Sequence, residues 1–477
     1  MESAMPQNNF VSYVGTIDTT CAHPDGSSPE NAELILDAIP VDLLDRFSER
    51  QGIIREQGLG ENEEVGFLLL RMGANVLQAK LDAGTYFLIT VTDAPQEGND
   101  WFESTPLQFG NEDNENSPLY VRFEEESPRE PLIEALEVLA GFSHLPDMES
   151  QDTFILGENE ITAIAVYDVG QASMNALVNA FEHPVMFFDF GWPAAFNTTS
   201  IPKTLKYFNP MSLERDDINV RTPVVLSHLD WDHWAYAYQS GRAKWDPKIG
   251  AWVTVPTYRP DAIKRPWLMR RPQLTAHKLG PSHIHFVDTL SKTKLDLGGI
   301  ALNFWPEKKQ ELNLGGCTIF SCNPASGSRN LPSFLRNNQG LGMLIFDSHS
   351  GSRTLLPGDA DYPSIPDFAK QRLTGLVATH HGGKVTKGSI PNATAHGRMV
   401  FSVFPGCYSN MPHPDVESEA YLKGWHIART SERVDCFRIN TPKKQIKCGN
   451  RLIRLAQETP QCGCNRVPNG CLCITKP

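Results

Sequence analysis

No run of about 18 apolar residues interrupts this 477-residue chain, so no helical membrane span is expected. It does not open on a basic, apolar, small-residue leader, and the expectation is a soluble, cytoplasmic protein without membrane attachment. Internal repeats and low-complexity segments are missing. Basic residues are scarce at first: positions 1–150 hold 7 Lys+Arg against 29 Asp+Glu, a net −22. The remaining positions hold 36 bases and 27 acids, a net +9. A basic C-terminal part suits a polyanionic substrate, and an acidic neighbour could dock on it, contact a protein partner, or simply be solvated. Cysteines number ten, and without a secretory leader a disulfide framework is not expected. Hydrophobic residues make up 40 %, enough for a full core, which excludes global disorder.

The length suggests two or three domains. Residues 1–155 read as an acidic mixed α/β domain of unknown role. Helical patterning is plausible over 30–50 (Ile35, Leu36, Ile39, Leu43, Leu44, Phe47), Tyr86–Thr92 is a strand, Glu97–Asn116 a loop, and Leu132–Phe142 an amphipathic helix. From about 160, short apolar strands alternate with helical or irregular stretches, and each chemical residue sits at a strand end. That texture predicts a layered α/β domain over 156–430 with its site along one sheet edge. Residues 431–477 read as a cysteine-bearing extension. There Cys462-Gly-Cys464 and Cys471-Leu-Cys473 flank the turn Pro468-Asn469-Gly470, so alternate thiols would share one hairpin face. Four thiolates so placed could hold a structural zinc, or remain free thiols, since the spacing is not the common Cys-x-x-Cys form.

The strongest signal follows the apolar run Pro223–Leu226: Ser227-His228-Leu229-Asp230-Trp231-Asp232-His233. Side chains two apart on extended chain point the same way, so His228 and Asp230 can grip one ion. Asp232 and His233, at the turn into the next element, can reach a second. Imidazole nitrogens and carboxylate oxygens are the ligands that borderline and hard divalent cations prefer. Gly358-Asp359, His380-His381-Gly382-Gly383 and Pro412-His413-Pro414 follow in order, the first two behind apolar strands.

With Asp168-Val-Gly-Gln171, Asp189-Phe-Gly191 and Asn338-Gln-Gly-Leu341 added, the chain resembles the metallo-β-lactamase fold superfamily. Within it the pattern is similar to that of the ComEC-type competence (DNA-uptake) hydrolase domain. The resemblance covers roughly 160–425 and implies an αββα sandwich. It implies two divalent ions, zinc or manganese, sharing a bridging hydroxide that attacks the substrate. One ion would be held by His228, Asp230 and Asp359, the other by Asp232, Asp359 and His381, and the resemblance leaves open which of the two His233 serves. Asp168, Gln171 and Asp189 would orient ligands or loops. Asp232, His380 and His413 are the candidate catalytic residues, the two histidines steadying charge or protonating the leaving group. Sequence leaves open which of His380 and His381 touches metal; the resemblance favours His381. Departures fall on the rim: Ala172 and Ser173 replace a glycine and an aspartate, Gly383 a serine, and Met411 a histidine. His277, His283 and His285 lie where many relatives place a further ligand, without strand-end context.

Residues 242–278 carry nine Lys/Arg, with Trp231, Trp234, Trp252 and Trp267 in or beside them. Basic side chains interleaved with aromatics fit a nucleic-acid strand whose phosphates are neutralised and bases stacked. Lys264, Arg265, Arg270, Arg271 and Trp231 are the substrate-binding candidates. The expected function is a metal-dependent phosphodiesterase or nuclease. The alternatives are a hydrolase of a small phosphorylated or acylated metabolite, or a partner-gated component of a multi-protein assembly such as a bacterial antiviral defence complex.

Overall fold

A computed structural model of the chain describes residues 9–18, 33–73, 85–107 except 97 and 99, 117–150, 154, 156, 161–193, 209–214, 221–272, 278–326, 332–404, 411–441 and 444–455. Six strands come first: β1 (Val11–Asp18), β2 (Glu33–Pro40), β3 (Leu68–Gly73), β4 (Phe87–Thr92), β5 (Trp101–Pro106) and β6 (Leu119–Phe123). Helices α1 (Val41–Ser48) and α2 (Gln51–Gln57) lie between β2 and β3, and α3 (Glu130–Gly141) follows β6. Then come β7 (Ala163–Val166), β8 (Met174–Val178), β9 (Pro184–Phe190), β10 (Val224–Leu226) and the one-turn helix α4 (Trp231–Trp234). A hairpin of β11 (Tyr238–Asp246) and β12 (Ala251–Tyr258) leads to α5 (Pro260–Ile263), β13 (Trp267–Met269), α6 (Pro281–Lys292) and β14 (Leu302–Phe304). The chain continues with β15 (Glu311–Asn313), β16 (Cys317–Ser321), α7 (Pro332–Asn338), β17 (Leu341–Phe346), β18 (Arg353–Leu356), β19 (Leu373–Val377) and β20 (Ala393–Phe401). Last are α8 (Pro414–Leu422), β21 (His426–Arg429), β22 (Val434–Thr441), β23 (Lys444–Cys448) and β24 (Arg451–Arg454). Among the described residues, no helix is long and apolar enough to cross a membrane.

These elements form two compact units, and neither is a continuous stretch of chain. One comprises residues 1–146, 238–259 and 271–292; the other holds 147–237, 260–270 and 293–477. The partition therefore departs from the linear boundaries at 155 and 430. The first unit is a closed antiparallel barrel in the order β1-β2-β3-β5-β6-β4. Tyr13, Leu36, Leu68, Ile89 and Val121 fill it, joined by Ala251 and Trp252 from the β11–β12 hairpin. Tyr13 donates its hydroxyl to Trp252 O at 3.0 Å, and Tyr86 donates to Leu279 O at 3.0 Å just before α6. Two sequence expectations fail here. Residues 33–40 are strand rather than the start of a helix, because Leu34, Leu36 and Ala38 alternate into the barrel core while α1 begins only at Val41. Strand β5 lies inside the expected 97–116 loop, pairing with β3 and β6.

The second unit is built on two seven-stranded sheets, ordered β14-β13-β10-β9-β8-β7-β24 and β15-β16-β17-β18-β19-β20-β21. One core lies between their facing sides, where Val166, Leu177, Phe188, Val225 and Leu268 of the first meet Ile319, Met343, Leu356, Val377 and Val400 of the second. The far side of the second sheet packs Phe320, Leu344, Leu355 and Met399 against Val416 and Ala420 of α8. Mixed α/β architecture is thus present. Part of the expected C-terminal extension is integral to it: β24 pairs antiparallel with β7 and buries Leu452 and Ile453. Within each sheet a parallel block carries the chemistry: β9 and β10 in the first, β18, β19 and β20 in the second.

Candidate metal centre

Asp189, the His228–His233 segment, Asp359, His381 and Ser402 all stand at or just past the C-terminal ends of these parallel strands. That end of a parallel block exposes loops that can gather side chains from several strands. Close backbone packing brings the loops together. A Cβ on Gly191 would fall 1.7 Å from Asp232 O, and one on Gly358, at φ +58°, would fall 2.6 Å from Ser227 Cβ. His380 and His381 both adopt left-handed backbone, φ 49° and 54°, an unfavourable conformation for two consecutive non-glycine residues. Asp189, at φ 64°, does the same at the end of β9.

The hydrogen bonds settle which nitrogens face inward. His381 Nδ1 lies 3.0 Å from Ser402 O, and a carbonyl only accepts, so Nδ1 carries the proton. The Nε2 of the neutral ring then offers a lone pair to Asp232 Oδ2, 3.0 Å away. His233 Nδ1 lies 2.8 Å from Asp189 Oδ2, which likewise leaves its Nε2 as an acceptor, 3.2 Å from Asp359 Oδ1. His228 Nδ1 meets Ser227 Oγ at 2.9 Å, and its Nε2 lies 3.2 Å from Asp230 Oδ2. The Nε2 atoms of His228 and His233 are buried and make no hydrogen bond among the described residues. Acceptors facing acceptors need a proton or a cation between them.

Protons on the rings are one answer to that need. Burial opposes charging of His233, yet Asp359, Asp189 and Asp232 raise its basicity well above the ordinary range. Burial likewise opposes charging of His381, and Asp232 outweighs it. Burial raises the affinity of Asp232 and Asp359 for protons, but the charge of His233 overrides it and both are held below the usual carboxylate range. Two sets of ligand atoms lie mutually within 4.8 Å: His228, His233 and Asp359, and Asp232, His233 and His381. The donor set suits a divalent ion, which would take the place of the protons.

His380 lies outside both sets, and burial depresses its basicity. Asp230 also lies outside them, beside His228, with Oδ1 at 2.8 Å from Arg336 Nε. His413 donates its backbone N–H to Gly382 O at 2.8 Å and caps α8, its Nδ1 accepting from Asp415 N at 3.2 Å. Gln171 ties the flanks of residues 405–410, accepting from Phe404 N at 3.0 Å and donating to Met411 Sδ at 3.3 Å. Asp168 is gripped by Arg433 through both oxygens, at 2.6 and 2.9 Å. It anchors the chain leading to β24. Ser227, Ser402 and Arg336 are the site residues that sequence reasoning gave no role. Adjacency to His228 is a usable signal for Ser227; Ser402 acts through its backbone and Arg336 from a separate helix, and neither leaves a pattern.

Most of the substrate candidates are occupied elsewhere. Arg265 is wholly buried, its Nη1 2.5 Å from Glu214 Oε1 and its guanidinium against Phe187 and Phe190. Arg270 donates to Cys322 O and Gln339 O, both at 2.7 Å, while Arg271 belongs to the barrel unit and donates to Phe142 O at 2.5 Å. Trp231 is buried and stacked on Trp234 at 4.8 Å; Trp252 and Trp267 are buried as well. The expected stacking platform is therefore core, because tryptophans interleaved with charges pack inward as readily as outward. Lys264 is exposed. His283 and His285 lie on α6 in the barrel unit, whereas His277, Cys462, Cys464, Cys471 and Cys473 fall outside the described residues. No protein-family model matches this chain, and comparison with curated proteins gives no match.

Proposed function

We propose that this chain is a dinuclear metal-dependent hydrolase with a metallo-β-lactamase-like αββα sandwich, and that it cleaves phosphodiesters, nucleic acid first among them. The observation that carries the reading is the set of buried imidazole Nε2 atoms aimed at carboxylate oxygens: His233 at Asp359, and His381 at Asp232. Bound divalent ions would supply Lewis acidity and a water of lowered pKa. Asp189 and Ser402 O fix the protons of His233 and His381 on Nδ1, which keeps both Nε2 lone pairs directed inward. One ring nitrogen can serve one ion, so holding a second would call on the carboxylates of Asp232 and Asp359. His413 accepts at Nδ1, so its neutral ring carries the proton on Nε2 and can donate to a departing oxygen.

The net +9 of residues 151–477 and exposed Lys264 favour a polyanion. The engagement of Arg265, Arg270, Arg271 and Trp231 within the fold favours a second reading, a small phosphorylated or acylated metabolite that needs no strand-long track. The test uses protein stripped of metal and reloaded with Mn²⁺ or Zn²⁺. It is given single- and double-stranded DNA and RNA, and a small aryl phosphodiester, beside Asp232→Ala. The expected result is metal-dependent cleavage of a polymer that falls at least about 100-fold in the variant. Turnover of the small ester alone would favour the second reading, and equal activity in metal-free protein would end both.

A further inference from the structure

We propose that Arg336 is a positioning residue of this centre: it takes one oxygen of Asp230 and thereby leaves a single oxygen for an ion held by His228. This rests on the metal-centre reading above. Arg336 Nε lies 2.8 Å from Asp230 Oδ1, an ion pair without hydrogen-bond alignment, while Asp230 Oδ2 lies 3.2 Å from His228 Nε2. The same guanidinium donates from Nη1 to Leu229 O at 3.2 Å, so it grips both the side chain and the backbone of the motif. Neither partner is a free surface group; the Arg336 and Asp230 side chains are 14 % and 24 % exposed. The planar guanidinium presents its N–H groups as a fixed fork, which a lysine cannot reproduce.

The element that carries Arg336 is itself tied to the centre. Helix α7 ends at Asn338, whose Oδ1 accepts from Asp361 N at 2.9 Å, two residues past Asp359. Leu341 N then donates to Ser227 O at 2.8 Å, next to His228. Arg336 is therefore held in register with both the histidine motif and the Asp359 loop. Its charge also offsets a site with three carboxylates, Asp230, Asp232 and Asp359. An unconstrained Asp230 could turn both oxygens to an ion or swing away. The arginine removes both options.

The test is a titration of metal-free protein with Mn²⁺ and with Zn²⁺, read calorimetrically for affinity and stoichiometry. It compares wild type with Arg336→Gln, Arg336→Lys, Asp230→Asn and the Arg336→Gln/Asp230→Asn double variant. Arg336→Gln is expected to weaken one ion about 10- to 100-fold and leave the other unchanged. Arg336→Lys recovers part of the loss, and the double variant is no weaker than Asp230→Asn, because the two residues act as one unit. Wild-type affinity for both ions in Arg336→Gln overturns the proposal, and a raised KM with unchanged metal binding would make Arg336 a substrate contact instead. Should Arg336→Gln fail to fold, the near-isosteric Asp230→Asn carries the test, and wild-type affinity there overturns it equally. A wild-type chain that binds neither ion removes the metal-centre reading itself, a result distinct from either.

Discussion

Each unit buries a cluster of ionisable side chains, and the two clusters differ in what meets their polar atoms. In the barrel unit Asp37 is fully buried on β2 and accepts from Ser282 N, at 3.2 and 3.1 Å on its two oxygens, and from Ser282 Oγ. His285 Nδ1 meets Tyr258 Oη at 2.8 Å, with the ring edge-on to Phe67. Donors there answer acceptors. In the sandwich unit Asp232 and Asp359 face ring nitrogens whose protons are committed to the other side of the ring. Burying a carboxylate costs several kcal/mol, and the first cluster offsets that with N–H and O–H groups while the second requires a proton or a cation. Residue types alone would not separate them, since both contain His and Asp below the surface. The direction of each hydrogen bond does.

The largest consequence concerns metal addition. A divalent ion at about 1,000 times its dissociation constant should stabilise the sandwich unit by about 4 kcal/mol. Amide exchange should slow around β9, β10, β18 and β19 while the barrel strands β1–β6 exchange as before. Asp232→Ala should abolish the difference. Equal protection of both units on metal addition would break the comparison, for it would place an ion in the barrel cluster as well.

A pH titration reaches the barrel cluster from the other side. Burial, with some help from the Lys292 charge, lowers the pKa of His285 to about 4, so the ring is neutral in the fold and charges readily once unfolded. Its contribution to stability is complete above the unfolded value near about 6.5 and is lost as pH falls through that value towards about 4. At pH 5 the loss amounts to about 2 kcal/mol. His285→Gln should remove that pH dependence, shown as a smaller drop in the denaturation midpoint between pH 7 and pH 5. An unchanged drop would mean that another group governs acid destabilisation of this unit.

The strands that lead to the site were legible because each is a short apolar run shortly before a chemical residue: Val224–Leu226 before His228, Arg353–Leu356 before Asp359, Leu373–Val377 before the paired histidines. The barrel was not. Residues 33–40 are apolar at spacings that satisfy both a helix and a strand, and only closure against β1 and β3 decides for strand. Nor could the chain show that β11–β12 and α6, which follow the histidine motif, join the barrel rather than the sandwich. That assignment depends on contacts more than 190 residues apart, such as Tyr13 with Trp252 and Tyr86 with Leu279. Within the site, the sequence marked His228, Asp232, His233, Asp359 and His381, the residues of the two sets that could hold an ion. It did not reveal that Arg336 sits against Asp230, because a helix outside the motif delivers it. The basic stretch misled for a related reason: Arg265 carries a charge in sequence and an ion-pair partner, Glu214, only in the fold.

The same chemical change applied to both clusters gives the finest test. Asp37→Asn keeps one carbonyl oxygen for Ser282 N, and the Ser282 hydroxyl can rotate to accept from the new amide, so only the charge-assisted part of the bonding is lost. The expected cost is about 1 kcal/mol in barrel stability, with metal affinity unaltered. Asp232→Asn makes the identical substitution opposite His381 and exchanges an anionic ligand for an amide. It should weaken ion binding at that set while shifting the metal-free denaturation midpoint far less. A loss of ion binding in Asp37→Asn would show that the two units are energetically coupled. A large destabilisation of metal-free Asp232→Asn would show that the carboxylate serves the fold through its contact with His381, and the division between the two clusters would then be one of degree.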